Sequence, residues 1–317
     1  MSASEAQSVE GFIHVKVLGE LQVRRGDTVL RARDFGGCKP RQILEILVLQ
    51  QGTPVSKDRL IDLLWGDAAP PEALATLESY ISILRRRIQP GRGKTGPLRT
   101  VTAGYVIDRT LVDLDLDRFN ILLEKAGHAP AAEAYPQLLE ALAVAAEPLL
   151  GHEPSAEWAD SERHAHNSRL AWAMVAASNA ANGIGKSEEA VQLARRAITV
   201  DQLDEAAWCA LLTGLGSNGR QAEALHAYEQ CRNMFIEELG CAPGPSLQKI
   251  HRDLLQGVTH SDDALGDLIS ALLCLHAHTT PARPGTGKTS GYEPLRDASR
   301  VLSKLLKQAQ LAMQSPA

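Results

Sequence analysis

The chain has 317 residues, of which 44% are hydrophobic and 22% charged, so it is long enough for about two domains with separate cores. This composition excludes collagen-like, disordered and disulfide-dense classes. The formal net charge of -5 is unevenly distributed. Residues 1–110 carry 16 Lys/Arg and 12 Asp/Glu, net +4, whereas the rest carry 17 and 26, net -9. A basic first third predicts a polyanion-binding module joined to a domain with a different task.

The first eleven residues are predicted to be disordered and to contain no targeting signal. The stretch MSASEAQSVE has neither a basic start nor an apolar core, and no apolar run approaches the ~18 residues of a membrane span. The five cysteines are scattered and form no CxxC pair, which predicts reduced thiols. We therefore expect a cytoplasmic protein, associated with the nucleoid if it binds DNA.

Residues 12–110 contain the predicted elements of a winged helix-turn-helix. Apolar and polar residues alternate from Phe12 to Val29 around a turn at Gly26, which predicts short antiparallel strands. Helical periodicity follows, and alternation returns at 98–107 around Ala103-Gly104, as in a β-hairpin. Three helices are predicted, one opened by Pro40, one capped by Ser56, and one running from Pro70 to Ile88.

The third helix has an apolar back, Leu77, Ile81, Leu84 and Ile88, and a polar front. At 100° per residue the front presents Ser79, Ser82, Ile83 and Arg86, with Thr76, Tyr80 and Arg87 on a flank. Short polar groups and Arg suit the DNA major groove, and a hairpin bearing Arg99 and Thr102 would serve as a wing. The alternative is that Arg85, Arg86 and Arg87 only complement the helix dipole.

Beyond Val112 the chain is rich in Ala, Leu and Glu, and every readable segment is predicted to be helical. Gly185 and Gly219 begin similar hexapeptides 34 residues apart, which is the period of a tetratricopeptide (TPR) helix pair. A more divergent pair is expected between Pro154 and Gly183. Three tryptophans of this region, Trp158, Trp172 and Trp208, are interpreted as core residues. We expect a helical domain over 111–258 and a tail over 259–317, with a linker and an amphipathic helix.

No catalytic, cofactor or metal site is predicted. His164 and His166 are two residues apart and do not share a helical face, so they are interpreted as solvated or core histidines. The block Gly287-Lys288-Thr289 resembles the end of a phosphate loop, but only 28 residues follow it. A small NTPase is therefore the weakest hypothesis, and a flexible linker is the alternative for this block.

Several runs together resemble one family, the Streptomyces antibiotic regulatory proteins, over about residues 12–257. The first half is similar to the family's winged helix, of the type found in two-component response regulators, and the second half is similar to its bacterial transcriptional activation domain. The matching motifs are Lys39-Pro40-Arg41-Gln42, Leu60-Ile61-Asp62-Leu63-Leu64-Trp65-Gly66, Thr76 to Arg86, Thr102-Ala103-Gly104-Tyr105, Asp115-Leu116-Asp117-Arg118-Phe119, Gly219 to Leu225, and Glu237-Glu238-Leu239-Gly240 before Pro243-Gly244-Pro245.

The resemblance implies a pathway-specific transcriptional activator of an antibiotic biosynthetic cluster, and no enzyme. Such proteins bind direct repeats near the −35 promoter element, pair on tandem sites and recruit RNA polymerase through sigma and other subunits. The implied DNA-binding residues are Thr76, Ser79, Tyr80, Ser82, Ile83, Arg86, Arg87, Arg99, Thr102, Lys39 and Arg41. The implied polymerase-facing loop is Gly66, Asp67, Ala68, Ala69 and Pro70.

One position departs from the family pattern, because Ile83 stands where relatives often have Arg. Apolar contact with a thymine methyl is expected there instead of hydrogen-bonded readout.

The main alternative to a DNA-binding activator is a helical-repeat adaptor whose winged helix does not read DNA. Larger family members continue into an ATPase domain, to which the Gly287-Lys288-Thr289 block could correspond.

Overall fold

The computed structural model describes residues 12–92, 95–102 and 104–256, and these form two compact units divided between Asn218 and Gly219. The architecture is mainly α with a small β component, as expected: a winged helix-turn-helix precedes a helical repeat domain. The predictions for the first eleven residues, for the tail over 259–317 and for Gly287-Lys288-Thr289 lie outside the described residues.

A four-stranded sheet opens the first unit; its order is the third, second and first strand of the chain, followed by a strand over residues 112–114. Strands β1 (Ile13–Lys16), β2 (Gln22–Arg25) and β3 (Thr28–Arg31) are antiparallel, with the β2–β3 turn at Gly26 as predicted. Strand β7 (Val112–Leu114) pairs in parallel with β1, so the expectation that only helices follow Val112 was wrong. A strand of three residues is too short to show the alternation that predicts a strand. In addition, β7 pairs with residues about a hundred positions away along the chain.

Three helices and a second sheet complete the winged helix. The helices are α1 (Cys38–Leu49), α2 (Lys57–Trp65) and α3 (Ala73–Ile88), and a three-stranded sheet of order β4-β6-β5 contains β4 (Val55–Ser56), β5 (Leu98–Val101) and β6 (Gly104–Ile107). Ser56 caps α2 as predicted, because its hydroxyl accepts the backbone N–H of Arg59 at 3.1 Å. The α3 helix begins three residues later than expected.

Helices in consecutive antiparallel pairs follow β7. They are α4 (Asp115–Gly127), α5 (Ala131–Val144), α6 (Asp160–Gly183), α7 (Ser187–Val200) and α8 (Glu205–Ser217), and each packs on the next along α4–α8. The expected pair between Pro154 and Gly183 is wrong, because that span contains one long helix, α6. Gly185, between α6 and α7, has φ +79°, a conformation that glycine adopts without steric cost, in agreement with its predicted turn.

The second unit begins with α9 (Gln221–Leu239), which ends where Gly240 takes φ +69°. Residues 245–256 are helical as well, and the rings of Tyr228 and His251 stack with centroids 3.9 Å apart. Gly219 at the start of this unit has φ +71°, which matches its repeat partner Gly185. Along the part of the chain that the structure describes, no helix is both long and apolar enough to cross a bilayer.

The three tryptophans of the helical domain differ in burial. Trp208 is 4% exposed and its indole N–H donates to the carbonyl of Gln202 at 2.9 Å, as expected of a core residue. Trp158 is half-buried. Trp172 is 48% exposed, so its interpretation as a core residue was wrong: it occupies the solvent side of α6.

Candidate nucleic-acid interface

The α3 helix has the two faces that the sequence predicts. Leu77, Ile81 and Leu84 are buried, whereas Ser79, Ser82 and Arg86 are exposed on the opposite side. The Ser82 hydroxyl donates to the carbonyl of Glu78 at 2.9 Å, which leaves its oxygen lone pairs free for a donor. Within the described residues Arg86 forms no ion pair. The exposed face is therefore a polar surface with an unneutralised cation near its C-terminal end.

The flank of α3 is partly covered by neighbouring segments. The Tyr80 ring stacks on Trp65 of α2 with centroids 6.4 Å apart. Thr76 is half-buried. Ile83, which the sequence predicts on the front of the helix, is half-buried as well, because its side chain packs against Gly36: a Cβ added to Gly36 would stand 3.3 Å from Ile83. Tyr80 and Ile83 are thus partly exposed, whereas Arg87 is exposed.

The end of α3 is tied to the wing by side chains that sequence reasoning did not identify. Gln89 is 2% exposed; its amide oxygen accepts the N–H of Leu98 at 2.7 Å, and its amide nitrogen donates to the Leu98 carbonyl at 3.4 Å. Arg85 donates to the same carbonyl at 3.2 Å and to the Thr100 hydroxyl at 2.7 Å. Arg25 of β2 donates to the Arg87 carbonyl at 2.7 Å. Arg85 is consequently part of the scaffold, unlike the two arginines after it.

The wing holds Arg99 and Thr102, both predicted contacts. Thr102 is exposed, and Arg99 pairs with Asp108, the residue after β6, while remaining half-exposed. A hydrogen bond from Thr110, together with the cation of Arg99, lowers the pKa of Asp108. The charge of Arg99 is therefore partly compensated within the wing.

Lys39 and Arg41 are engaged inside the protein. The Lys39 ammonium donates to the carbonyl of Leu64, and Arg41 pairs with Glu153 and lies 3.6 Å from Glu45. The Arg41 side chain is 17% exposed. The charged ends of both side chains are therefore directed at protein acceptors, unlike that of Arg86.

The predicted polymerase-facing loop joins α2 to α3. Gly66–Ala68 form one 3-10 turn, and Gly66, Asp67, Ala68 and Ala69 are exposed while Pro70 is half-buried. Gly66 has φ +52°, which ends α2 as the sequence predicts. The loop is exposed, carries one acidic residue, Asp67, and leads into the start of α3.

A polar cluster that the sequence did not predict connects α1 to the loop before α6. Glu45 is fully buried, and its carboxylate lies 2.8 Å from Nε2 of His152. His152 Nδ1 lies 3.2 Å from the Gly19 carbonyl, and Gln42 donates to Glu153 at 3.2 Å. The hydrogen bond with Glu45 raises the pKa of His152. Among the described residues no three metal-ligating side chains converge.

Comparisons with known proteins define the class. Residues 38–107 match the family described as "Transcriptional regulatory protein, C terminal", and residues 114–255 match "Bacterial transcriptional activator domain". A winged helix with an exposed polar helix face, followed by an activator domain, is the organisation of a DNA-binding transcriptional regulator.

The relatives identify the family. The chain is 30% identical to the regulatory protein AfsR of Streptomyces coelicolor over 85% of this chain and 26% of AfsR. It is 29% identical to the regulatory protein DnrI of Streptomyces peucetius over 69% of this chain and 84% of DnrI. It thus spans about a quarter of AfsR but matches most of DnrI. The chain belongs to the Streptomyces antibiotic regulatory protein family of transcriptional activators.

A solved structure shares the fold. Mycobacterium tuberculosis EmbR, in complex with a low-affinity phosphopeptide, superimposes with a TM-score of 0.68 at 24% identity, covering 82% of this chain and 71% of EmbR.

Proposed function

We propose that this protein is a pathway-specific activator that binds promoter DNA through the exposed face of α3. The observation that carries the proposal is that face itself: Ser79, Ser82 and Arg86 are exposed on a helix whose back is fully buried. Short hydroxyls permit close approach to base edges, and Arg is the commonest specific contact to guanine. The proposed role is regulatory and involves no catalysed reaction.

The DNA surface extends from α3 into the wing. Thr76, Tyr80, Ile83 and Arg87 border the groove-facing side, and Arg99 and Thr102 reach the backbone or the minor groove. Ile83 contributes apolar contact through its exposed edge, which suits a thymine methyl group. Lys39 and Arg41 are left out of this surface because they are engaged with Leu64 and Glu153.

The remaining assignments follow the family resemblance. The winged helix over 12–110 binds direct repeats near a −35 element of an antibiotic biosynthetic cluster, with two molecules on tandem sites. The domain over 111–258 and the exposed loop from Gly66 to Pro70 contact RNA polymerase, including its sigma subunit. The tail over 259–317 has no assigned role.

The test compares the affinity of Arg86→Ala and wild-type protein for DNA that the wild-type protein has selected from a random pool. Loss of a guanine contact reduces affinity by about 5-fold to 150-fold, corresponding to ~1–3 kcal/mol, and relaxes specificity at one position. Loss of a phosphate contact instead lowers the salt dependence of log K by about one unit. Affinity is measured by fluorescence anisotropy at several salt concentrations.

Arg196→Ala is the matched control, because Arg196 is an exposed arginine on α7. We expect its affinity to equal that of the wild type. Unchanged affinity, specificity and salt dependence in both Arg86→Ala and Arg87→Ala would rule out this face of α3 as the DNA surface.

A further inference from the structure

Two adjoining cavities lie between α6 and the winged helix. One, of about 430 Å³, is lined by Ile46, Leu63 and Trp158 among others, and the second, of about 370 Å³, by Leu116, His166 and Arg169. Leu49, Gln50 and Glu162 line both cavities, so the two lie side by side. Both volumes fall within the range of small-molecule sites, which are often found at domain junctions.

Two polar side chains in the walls lack hydrogen-bond partners. The indole nitrogen of Trp158 is buried without an acceptor, and His166 is 3% exposed with neither ring nitrogen bonded within the described residues. Buried polar groups are nearly always satisfied, by protein or by a bound molecule. Burial, with a smaller effect of Arg169, lowers the pKa of His166 to about 4, so its neutral ring offers one donor and one acceptor.

The charges along the cavities are arranged by the periodicity of α6. Arg169 donates to the neutral amide oxygen of Asn120 at 3.1 Å and forms no ion pair with any described residue. Glu162 is seven residues earlier, which is ~10 Å along a helix, and it likewise has no ion pair there. Arg59, in the first cavity, is neutralised by Asp62 at 2.7 Å. The cavities thus have an uncompensated cation at one end and a carboxylate where they meet.

We propose that these cavities bind a small organic acid with an apolar body and a hydroxyl group. Its carboxylate pairs with Arg169, its body lies along Leu49 and Leu116, and its hydroxyl donates to Glu162. The ~10 Å between the two charges keeps the ligand carboxylate away from Glu162. Because α1, β4 and α2 form one wall and α6 the other, such a ligand binds the winged helix and the activator domain at the same time.

The test uses 4-(4-hydroxyphenyl)butyrate as a probe on the full chain without DNA, so its outcome is independent of the proposed DNA binding. The sequence has four tryptophans, and their indole N–H resonances are followed by two-dimensional NMR of ¹⁵N-labelled protein. We expect a saturable shift of the Trp158 resonance, identified with Trp158→Phe, and no shift for Trp65 or Trp208. The methyl ester of the probe should bind at least about 10-fold more weakly, since each charged hydrogen bond contributes ~1.5–3 kcal/mol.

Arg169→Gln should weaken binding of the acid about 10-fold and leave the ester unaffected, while the exposed Arg196→Gln serves as the matched control. The proposal is overturned if the Trp158 resonance shows no saturable shift up to 10 mM probe, a concentration about 10-fold above a 1 mM dissociation constant. Equal affinity for acid and ester, or no effect of Arg169→Gln, also overturns it. Tighter binding of the matched amine, 4-(4-hydroxyphenyl)butylamine, would assign recognition to Glu162 and contradict the organic acid.

Discussion

The imidazole of His166 is buried on α6 against the ring of Phe119, with ring centroids 5.1 Å apart. Desolvation disfavours its charged form, which is why its pKa falls to about 4. The unfolded chain, with a pKa near 6.5, binds more protons than the folded protein between these two values. Protonation below pH 6.5 therefore favours the unfolded state.

This difference predicts a pH dependence of stability. As pH falls from 6.5 to 4, wild-type protein should lose about 3 kcal/mol of unfolding free energy relative to His166→Leu. The measurement is urea denaturation at several pH values. His164→Leu is the control, because His164 is exposed on the same helix. If wild type and His166→Leu follow parallel pH curves, the imidazole is not held neutral by burial.

Residue-scale prediction from sequence succeeded where periodicity was strong. The apolar spacing on α3 identified Leu77, Ile81 and Leu84 as buried and Ser79 and Ser82 as exposed. It could not separate Arg85 from its two neighbours, since each is an arginine at a helix end. Arg85 is distinguished only by contact with Leu98 and Thr100, on a strand whose position the helix sequence does not contain.

At the scale of elements, the wing depends on a close approach of two strands. Strand β4 pairs with β6 through Val55 opposite Tyr105 and Ser56 opposite Gly104. An added Cβ on Gly104 would overlap the backbone of Val55. The sequence predicts that Gly104 belongs to a hairpin. It does not predict β4, the two-residue strand whose close approach requires a residue without a side chain at this position.

Gly104→Ala should consequently separate β4 from β6 and destabilise the winged helix by about 2 kcal/mol or more, as overpacking does in a close-packed interior. DNA affinity should fall in parallel, since the wing is carried by β5 and β6. Urea denaturation and anisotropy measure the two effects. Gly127→Ala on α4 is the matched control, because a Cβ there meets nothing within 4 Å. A Gly104→Ala protein as stable as Gly127→Ala would show that the strands can separate at no cost.

The repeat elements show both the strength and the limit of sequence patterns. The 34-residue spacing predicted turns at Gly185 and Gly219, and both have the positive φ that favours glycine. The same approach divided the span from Pro154 to Gly183 into two helices. The span contains α6, of 24 residues, whose polar and apolar residues are mixed around the helix because it contacts both α5 and α7.

At the scale of the first compact unit, the winged helix and the following helices are joined by strand pairing and by hydrogen bonds to buried carboxyl groups. Val15 pairs with Leu114, and the Val17 and Leu18 amides donate to Asp115 at 3.0 to 3.1 Å. Burial raises the pKa of Asp115, while these amide donors oppose the rise. Glu45 and His152 add a hydrogen bond of 2.8 Å between α1 and the segment before α6.

The raised pKa of His152 predicts a second, opposite pH effect. The stabilisation from the charged pair with Glu45 is fully present below the unfolded pKa of about 6.5 and is lost as pH rises through the folded value. His152→Gln should therefore cost about 2 kcal/mol at pH 6, the contribution of a charged hydrogen bond, and progressively less toward pH 9. Urea denaturation over this range gives the difference. His128→Gln, at an exposed histidine on the loop after α4, should show no such trend. A His152→Gln deficit that stays constant with pH would mean that the pair is not charged in the folded protein.

Sequence patterns alone identify the class of each half, the three helices and hairpin of the winged helix, the buried and exposed sides of α3, and the family. These features depend on local periodicity, turn residues and motifs, all of which are written within one segment of chain. Contacts between distant segments of the folded chain decide that β7 joins the first sheet, that Arg85 and Arg41 bond to protein groups while Arg86 is exposed, and that α6 borders two cavities. Each of these depends on which distant segments meet, and a contact between residues a hundred positions apart leaves no periodic signal in either of them.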